Sequence, residues 1–161
     1  MKRIIAVCVC FAFLWLPISV SAQDSYRIVA GSFLGPVNVG MNVDTLMDAM
    51  GTPTWAEKNE SLNVMDIGYD EKGMIVALTQ EGNVFFATTY SPQYSDEYGI
   101  KVGISVEMIE KHYGKNVKKV ASSNDVTVLL YKEHGIAFMI KDNSIVSIGI
   151  FSKGSQEGAS I

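Results

Sequence analysis

The sequence predicts an α+β fold. It has two tandem helix-plus-three-strand antiparallel meander units, with the helices packed on one face of the sheet. Three observations carry this expectation. The stretch Val39-Gly40-Met41-Asn42-Val43-Asp44-Thr45-Leu46-Met47-Asp48-Ala49-Met50-Gly51 recurs 63 residues later as Val102-Gly103-Ile104-Ser105-Val106-Glu107-Met108-Ile109-Glu110-Lys111-His112-Tyr113-Gly114. Beyond these stretches, Tyr69-x-x-x-Gly73 is matched by Tyr131-x-x-x-Gly135. Each copy is followed by short alternating apolar runs separated by polar, glycine-containing turns, the pattern of antiparallel hairpins.

The elements follow in order. Ser25 to Phe33 reads as a short N-terminal strand, and Gly35-Pro36 as a turn. The first helix starts at Asn42, whose short side chain can accept from a free N–H of the first turn. Asp44 then complements the positive end of the helix dipole. Val43, Leu46, Met47 and Met50 form one apolar stripe at i, i+3, i+4 and i+7. Gly51 suits a left-handed C-terminus, and Pro53 prevents continuation. A polar connector holds Trp55, Glu57, Lys58 and Glu60. Strands are expected over Leu62–Tyr69, Met74–Thr79 and Val84–Tyr90, with turns at Asp70–Gly73 and Gln80–Asn83.

The second copy repeats the plan. Ser105 is the expected cap, Val106, Ile109 and Tyr113 form the stripe, and Gly114 ends the helix. Lys115 to Lys119 reads as a solvated loop. Strands follow at Val126–Tyr131, Ile136–Ile140 and Ile145–Phe151. Helices of about two turns are unstable alone, so each must lie on the strands that follow it. Two such units side by side give a sheet of about six strands with its second face partly open.

The expected organisation is a signal peptide at 1–22, a first unit with N-terminal strand and connector at 23–96, a second unit at 97–152, and a disordered tail at 153–161. Lys2 and Arg3 precede an apolar run from Ile4 to Leu16, and Val20-Ser21-Ala22 is a small-residue cleavage site. Cleavage between Ala22 and Gln23 removes Cys8 and Cys10, the chain's two cysteines. The remaining product carries no stable membrane span and is held together by its core rather than by disulfides. Removing Lys2 and Arg3 from 13 basic residues leaves 11 against 17 acidic ones, a net charge of −6. That balance argues against nucleic acid and anionic membrane as partners.

Chemistry is sparse. His112 stands at the end of the second helix and His134 in a hairpin turn, without ligand spacing between them. Gly103-Ile104-Ser105-Val106-Glu107 lacks the last glycine of a nucleophile elbow. Asp66 alternates away from Met65 and Ile67, and Asp70 and Glu71 are neighbours in a tight turn, where adjacent side chains point apart. No catalytic, cofactor or metal residues are assigned. The connector Tyr90-Ser91-Pro92-Gln93-Tyr94-Ser95-Asp96-Glu97-Tyr98 places three tyrosines around a proline. It suits either a recognition surface or packing between the units. Trp55 is likewise open to packing or to exposure. Tyr90, Tyr94, Tyr98 and Trp55 are the candidate partner-binding residues, because aromatic anchors offer large contact area with few torsions to freeze.

The phrase Gly40-Met41-Asn42 with Met50-Gly51-Thr52-Pro53, doubled and followed by meanders, resembles two known groups. One is the tandem β-lactamase-inhibitor-protein-like fold. The other is the single module of the SmpA/OmlA (BamE-like) outer-membrane assembly lipoproteins. This chain departs from them in lacking a lipidation cysteine and, after cleavage, any cysteine at all. The resemblance implies protein binding in the envelope or outside the cell, without catalysis. The expected function is therefore an exported non-catalytic module, an inhibitor of an exported enzyme or an envelope-assembly accessory. Its expected partner is another exported or envelope protein. The alternatives are a small hydrolase or metal-dependent enzyme using Asp66, Asp70, Glu71 and the histidines, and a purely structural envelope protein.

Overall fold

The computed structural model describes residues 26–121 and 125–153. The expected signal peptide, its cleavage site and the tail beyond Lys153 lie outside the described residues. Three two-residue strands come first: β1 (Ile28–Val29), β2 (Phe33–Leu34) and β3 (Val37–Asn38), paired in that order. Then come α1 (Val43–Met50), β4 (Trp55–Asn59), β5 (Val64–Tyr69), β6 (Met74–Leu78) and β7 (Val84–Thr89). After the connector come α2 (Glu107–Tyr113), β8 (Lys118–Ala121), β9 (Thr127–Tyr131), β10 (Ile136–Lys141) and β11 (Ser144–Phe151).

The expected α+β fold of two helix-plus-three-strand units is overturned. The chain is mostly β, and four strands follow each helix. They form one eight-stranded antiparallel sheet in the order β4-β5-β6-β7-β11-β10-β9-β8, beside the small three-stranded sheet. The two strands missing from the expectation are β4 and β8, the edges of the large sheet. Their sequences, Trp-Ala-Glu-Lys-Asn and Lys-Lys-Val-Ala, carry no apolar alternation. An edge strand is solvated along one side and is commonly protected by charge, so hydrophobic patterning does not reveal it. The N-terminal expectation is also corrected, since residues 26–33 are not one strand; the expected turn at Gly35-Pro36 is present and joins β2 to β3.

One side of the large sheet holds the main core. Leu46 and Met50 of α1 and Ile109 and Tyr113 of α2 meet Ile67, Val76, Leu129, Phe138 and Ile148 there. Ile28, Leu34 and Val37 of the small sheet join the same cluster. Leu46 and Ile109 are fully buried, each contributing about 2 kcal/mol by area removed from water. That packing is what holds two helices of eight and seven residues in place.

The helix ends separate a met expectation from a missed one. Asn42 Oδ1 accepts from Thr45 N–H at 2.9 Å, as a capping residue should. Ser105 does not cap α2; Val106 stands at that position without a side-chain bond. In both copies, capped or not, the segment before the helix pairs with a strand of the large sheet. Gly40 N–H donates to Val84 O at 2.6 Å, and Gly103 N–H donates to Ile145 O at 2.8 Å. Gly51 (φ 81°) and Gly114 (φ 79°) end their helices in the region that disfavours a Cβ.

Candidate functional site

The side of the sheet opposite the helices is the first candidate. Strand register places Trp55, Gly68, Ile75 and Thr88 on it, with Phe86 beside Ala77 and Phe151. Ala77, Phe86, Val128, Leu130, Ala137 and Phe151 form a second apolar cluster, with half-buried Val64, Phe85, Val120 and Met139 against it. A solvated sheet face ordinarily alternates to polar residues. Here aromatic and aliphatic side chains stand where polar ones are expected, and no described helix covers them.

Two glycines shape this face. A Cβ on Gly68 would run into the Trp55 indole, and one on Gly149 into the Phe86 ring. Neither glycine has positive φ. Their role is space: each lets a ring from the neighbouring strand lie flat across the backbone. The Trp55 Nε1–H donates to Asp70 Oδ1 at 3.0 Å, fixing the indole's tilt. Between β7 and β11, the Thr88 and Ser147 hydroxyls share a hydrogen bond at 2.7 Å.

The four candidate partner residues separate. Trp55 belongs to the helix-free face and is half-buried. Tyr90 follows β7, its N–H donating to Gly73 O at 3.0 Å, and its ring is exposed. Both therefore flank the Asp70–Gly73 turn. Tyr94 is corrected: it is 3 % exposed and belongs to the main core. The cause is pairing at long range. Ile28 N–H donates to Ser95 O and Ser95 N–H to Tyr26 O, which pins the connector to the N-terminal strand and turns Tyr94 inward against Tyr26. Tyr98 is exposed but on the helix side, stacked on His112 with ring centroids 4.5 Å apart.

Tyr98 borders the second candidate, a cleft of about 180 Å³ between the N-terminal strands and α2. Its ionisable lining is Arg27, Asp96, Glu97, His112, His134 and Lys153, with Tyr98 and Tyr113 as aromatic walls. Asp96 organises it. Its Oδ1 accepts from Tyr98 N–H at 2.9 Å and Ile100 N–H at 2.8 Å, and its Oδ2 accepts from Tyr113 O–H at 2.8 Å. Burial, then the Asp96 charge and hydrogen bond, push the Tyr113 phenol far above its ordinary range. The charge of Glu97, ahead of burial, raises the Tyr98 phenol. Sequence spacing gave no sign that His134 meets Tyr113. His134 lies edge-on to that ring at 5.3 Å, and His112 is its neighbour in the chain.

The residues of the enzymatic alternative are dispersed. β5 and β9 run in opposite senses, so the Asp70–Lys72 turn and the His134 turn leave opposite ends of the sheet. They are four strand spacings apart, roughly 19 Å. Asp66 accepts from Asn59 Nδ2 at 3.2 Å on β4. Among the described residues, no three His, Cys, Asp or Glu side chains are grouped to hold a metal ion.

No protein-family model matches the chain, and no curated protein matches it. Solved structures share its fold. The uncharacterized protein YfeY from Escherichia coli aligns with TM-score 0.56 at 12 % identity, over 76 % of this chain and 98 % of that one. YjgB, a DUF4309 family protein from Bacillus subtilis, aligns with TM-score 0.52 at 9 % identity, over 76 % and 88 %. An extracellular SCP-domain protein from Bacillus anthracis aligns with TM-score 0.51 at 9 % identity, over 74 % of this chain and 44 % of that one. At these identities the likeness is one of fold.

Proposed function

We propose that this chain is an exported, non-catalytic protein-binding module, and that another exported or envelope protein docks on the helix-free face of its sheet. The observation that carries the reading is the apolar character of that face. Trp55, Ile75, Phe85 and Met139 are only half-buried, where an antiparallel sheet ordinarily turns polar residues to water. Trp55 and Tyr90 are the anchors. Trp55 is already held by Gly68 and Asp70, so little torsional freedom is lost on docking.

Export rests on the positively charged start, the apolar run and the small-residue site before Gln23. A fold shared with a protein described as extracellular agrees with it. A relation to the β-lactamase-inhibitor-like and SmpA/OmlA-like modules belongs to the same reading, carried by the Gly40-Met41-Asn42 and Met50-Gly51-Thr52-Pro53 phrase.

Capture of a partner from the exported or envelope fraction, quantified for wild type and variants, tests the reading. Trp55→Ala is expected to weaken binding about thirtyfold, the loss of roughly 2 kcal/mol typical of a central aromatic anchor. Tyr90→Ala should weaken it less. Binding that survives Trp55→Ala and Met139→Lys together, with the fold intact by circular dichroism, contradicts the reading.

A further inference from the structure

We infer that the cleft between the N-terminal strands and α2 binds a small organic anion, a carboxylate or phosphate on a flat, partly apolar body. This site lies on the helix side of the sheet, away from the proposed docking face, and does not depend on it.

The first argument is charge. The full chain is net acidic, at −4, yet Arg27, Lys153, His112 and His134 converge on one cleft. The ion pair within 4.0 Å among the described residues is Lys58–Glu60, so no described carboxylate lies in direct contact with these four. Two carboxylates also line the cleft, and they differ. Asp96 is 8 % exposed and accepts three hydrogen bonds from Tyr98, Ile100 and Tyr113, which stabilise its negative charge in place without removing it. Glu97 is exposed and is the opposing charge on the rim.

The second argument is shape. Gly31, at φ +72°, leaves the room in which Lys153 lies; a Cβ there would meet Lys153 Cε at 2.7 Å and His134 O at 2.9 Å. The Tyr98 ring is stacked on His112 and stands edge-on to Tyr113 at 6.0 Å, giving the cleft aromatic walls. A volume of about 180 Å³ equals about six waters at roughly 30 Å³ each, room for a ligand of up to about ten non-hydrogen atoms. Arg27 and Lys153 supply permanent charge. The groups facing them are Asp96, Glu97, Tyr98 and Tyr113; the two carboxylates oppose an incoming anion, Asp96 from a buried position and Glu97 from the open rim.

The test is a nuclear magnetic resonance titration of the exported chain with benzoate, phenyl phosphate and neutral benzamide. Concentrations run to about 20 mM, beyond the millimolar affinity expected of ligands this small. One or both anions should saturate, shifting signals of Tyr98, His112 and His134, while benzamide does not. Arg27→Ala and Lys153→Ala, both at exposed positions, should each weaken binding about tenfold. Glu97→Gln should strengthen it severalfold. Benzamide binding as well as benzoate, no saturable shift from either anion, or indifference to all three substitutions overturns the proposal.

Discussion

Replacing Gly149 by alanine adds one methyl group to the middle of β11. On backbone grounds that should help slightly, because glycine in a strand is less favourable than alanine by roughly 0.5–1 kcal/mol and Gly149 has no positive φ. The structure predicts the opposite sign. The added Cβ would overlap the Phe86 ring, with Cζ and Cε2 both under 3.0 Å away. Phe86 is 8 % exposed and locked into the second apolar cluster, so its ring cannot swing aside freely. Overpacking of this kind costs about 2 kcal/mol, a fall in Tm of roughly 6–8 °C for a domain of this size. Urea unfolding followed by circular dichroism measures it directly. Phe86→Ala alone should cost about 3 kcal/mol, as a large-to-small change in a packed site. With the ring gone, Gly149→Ala should cost nothing or stabilise. The cycle should therefore show a coupling of about 2 kcal/mol. Additivity within about 0.5 kcal/mol would refute the claim that glycine is there to seat the ring.

Gly114→Val should destabilise by about 1–2 kcal/mol through its backbone alone, since nothing lies within 4 Å of the added Cβ; unchanged urea stability would mean that α2 ends elsewhere. Tyr113→Phe removes the donor to Asp96 Oδ2 and should cost about 1–3 kcal/mol, with the Tyr98 and Ile100 amides losing exchange protection. Burial, foremost, raises the phenols of Tyr69, Tyr94, Tyr113 and Tyr131. Such groups contribute stability that is present in full below the unfolded phenol value of about 10 and is lost as pH rises through the folded values. Stability should therefore hold to about pH 9 and fall above about pH 10. Phenolate absorbance for these four should appear only with unfolding, and their full titration in a protein that keeps its near-ultraviolet circular dichroism would contradict their burial.

What the sequence disclosed was the part of the structure written in local periodicity. Leu46, Met50, Ile109 and Tyr113 of the two stripes, the glycines ending the helices, and the six inner strands lie where short-range patterns point, whereas Met47, expected in the same stripe, is 43 % exposed. The edge strands β4 and β8 did not register, because a strand solvated on one side needs no apolar alternation. Ser105 looked like a cap, but only Asn42 accepts from the first turn of its helix, although the segments before both helices pair with a strand in the same way. Tyr94 and Tyr98, four residues apart in one polar connector, have opposite fates. The bonds from Ser95 to Tyr26 and Ile28 join residues nearly seventy positions apart, and no local rule anticipates them. The cleft at Tyr98 is the sharpest case. Arg27, Asp96, His112, His134 and Lys153 come from five separated segments, and only the packed fold brings them together.

The central claim, that the partner meets the helix-free face, is tested most directly by site-specific photocrosslinking in the native host. A photoreactive side chain is placed at Met139, half-buried on that face, or at Met47, 43 % exposed on α1. The proposed docking predicts a discrete adduct with an exported or envelope protein from position 139 and none from position 47. An adduct from position 47 with none from position 139 would put the partner on the helices and contradict it.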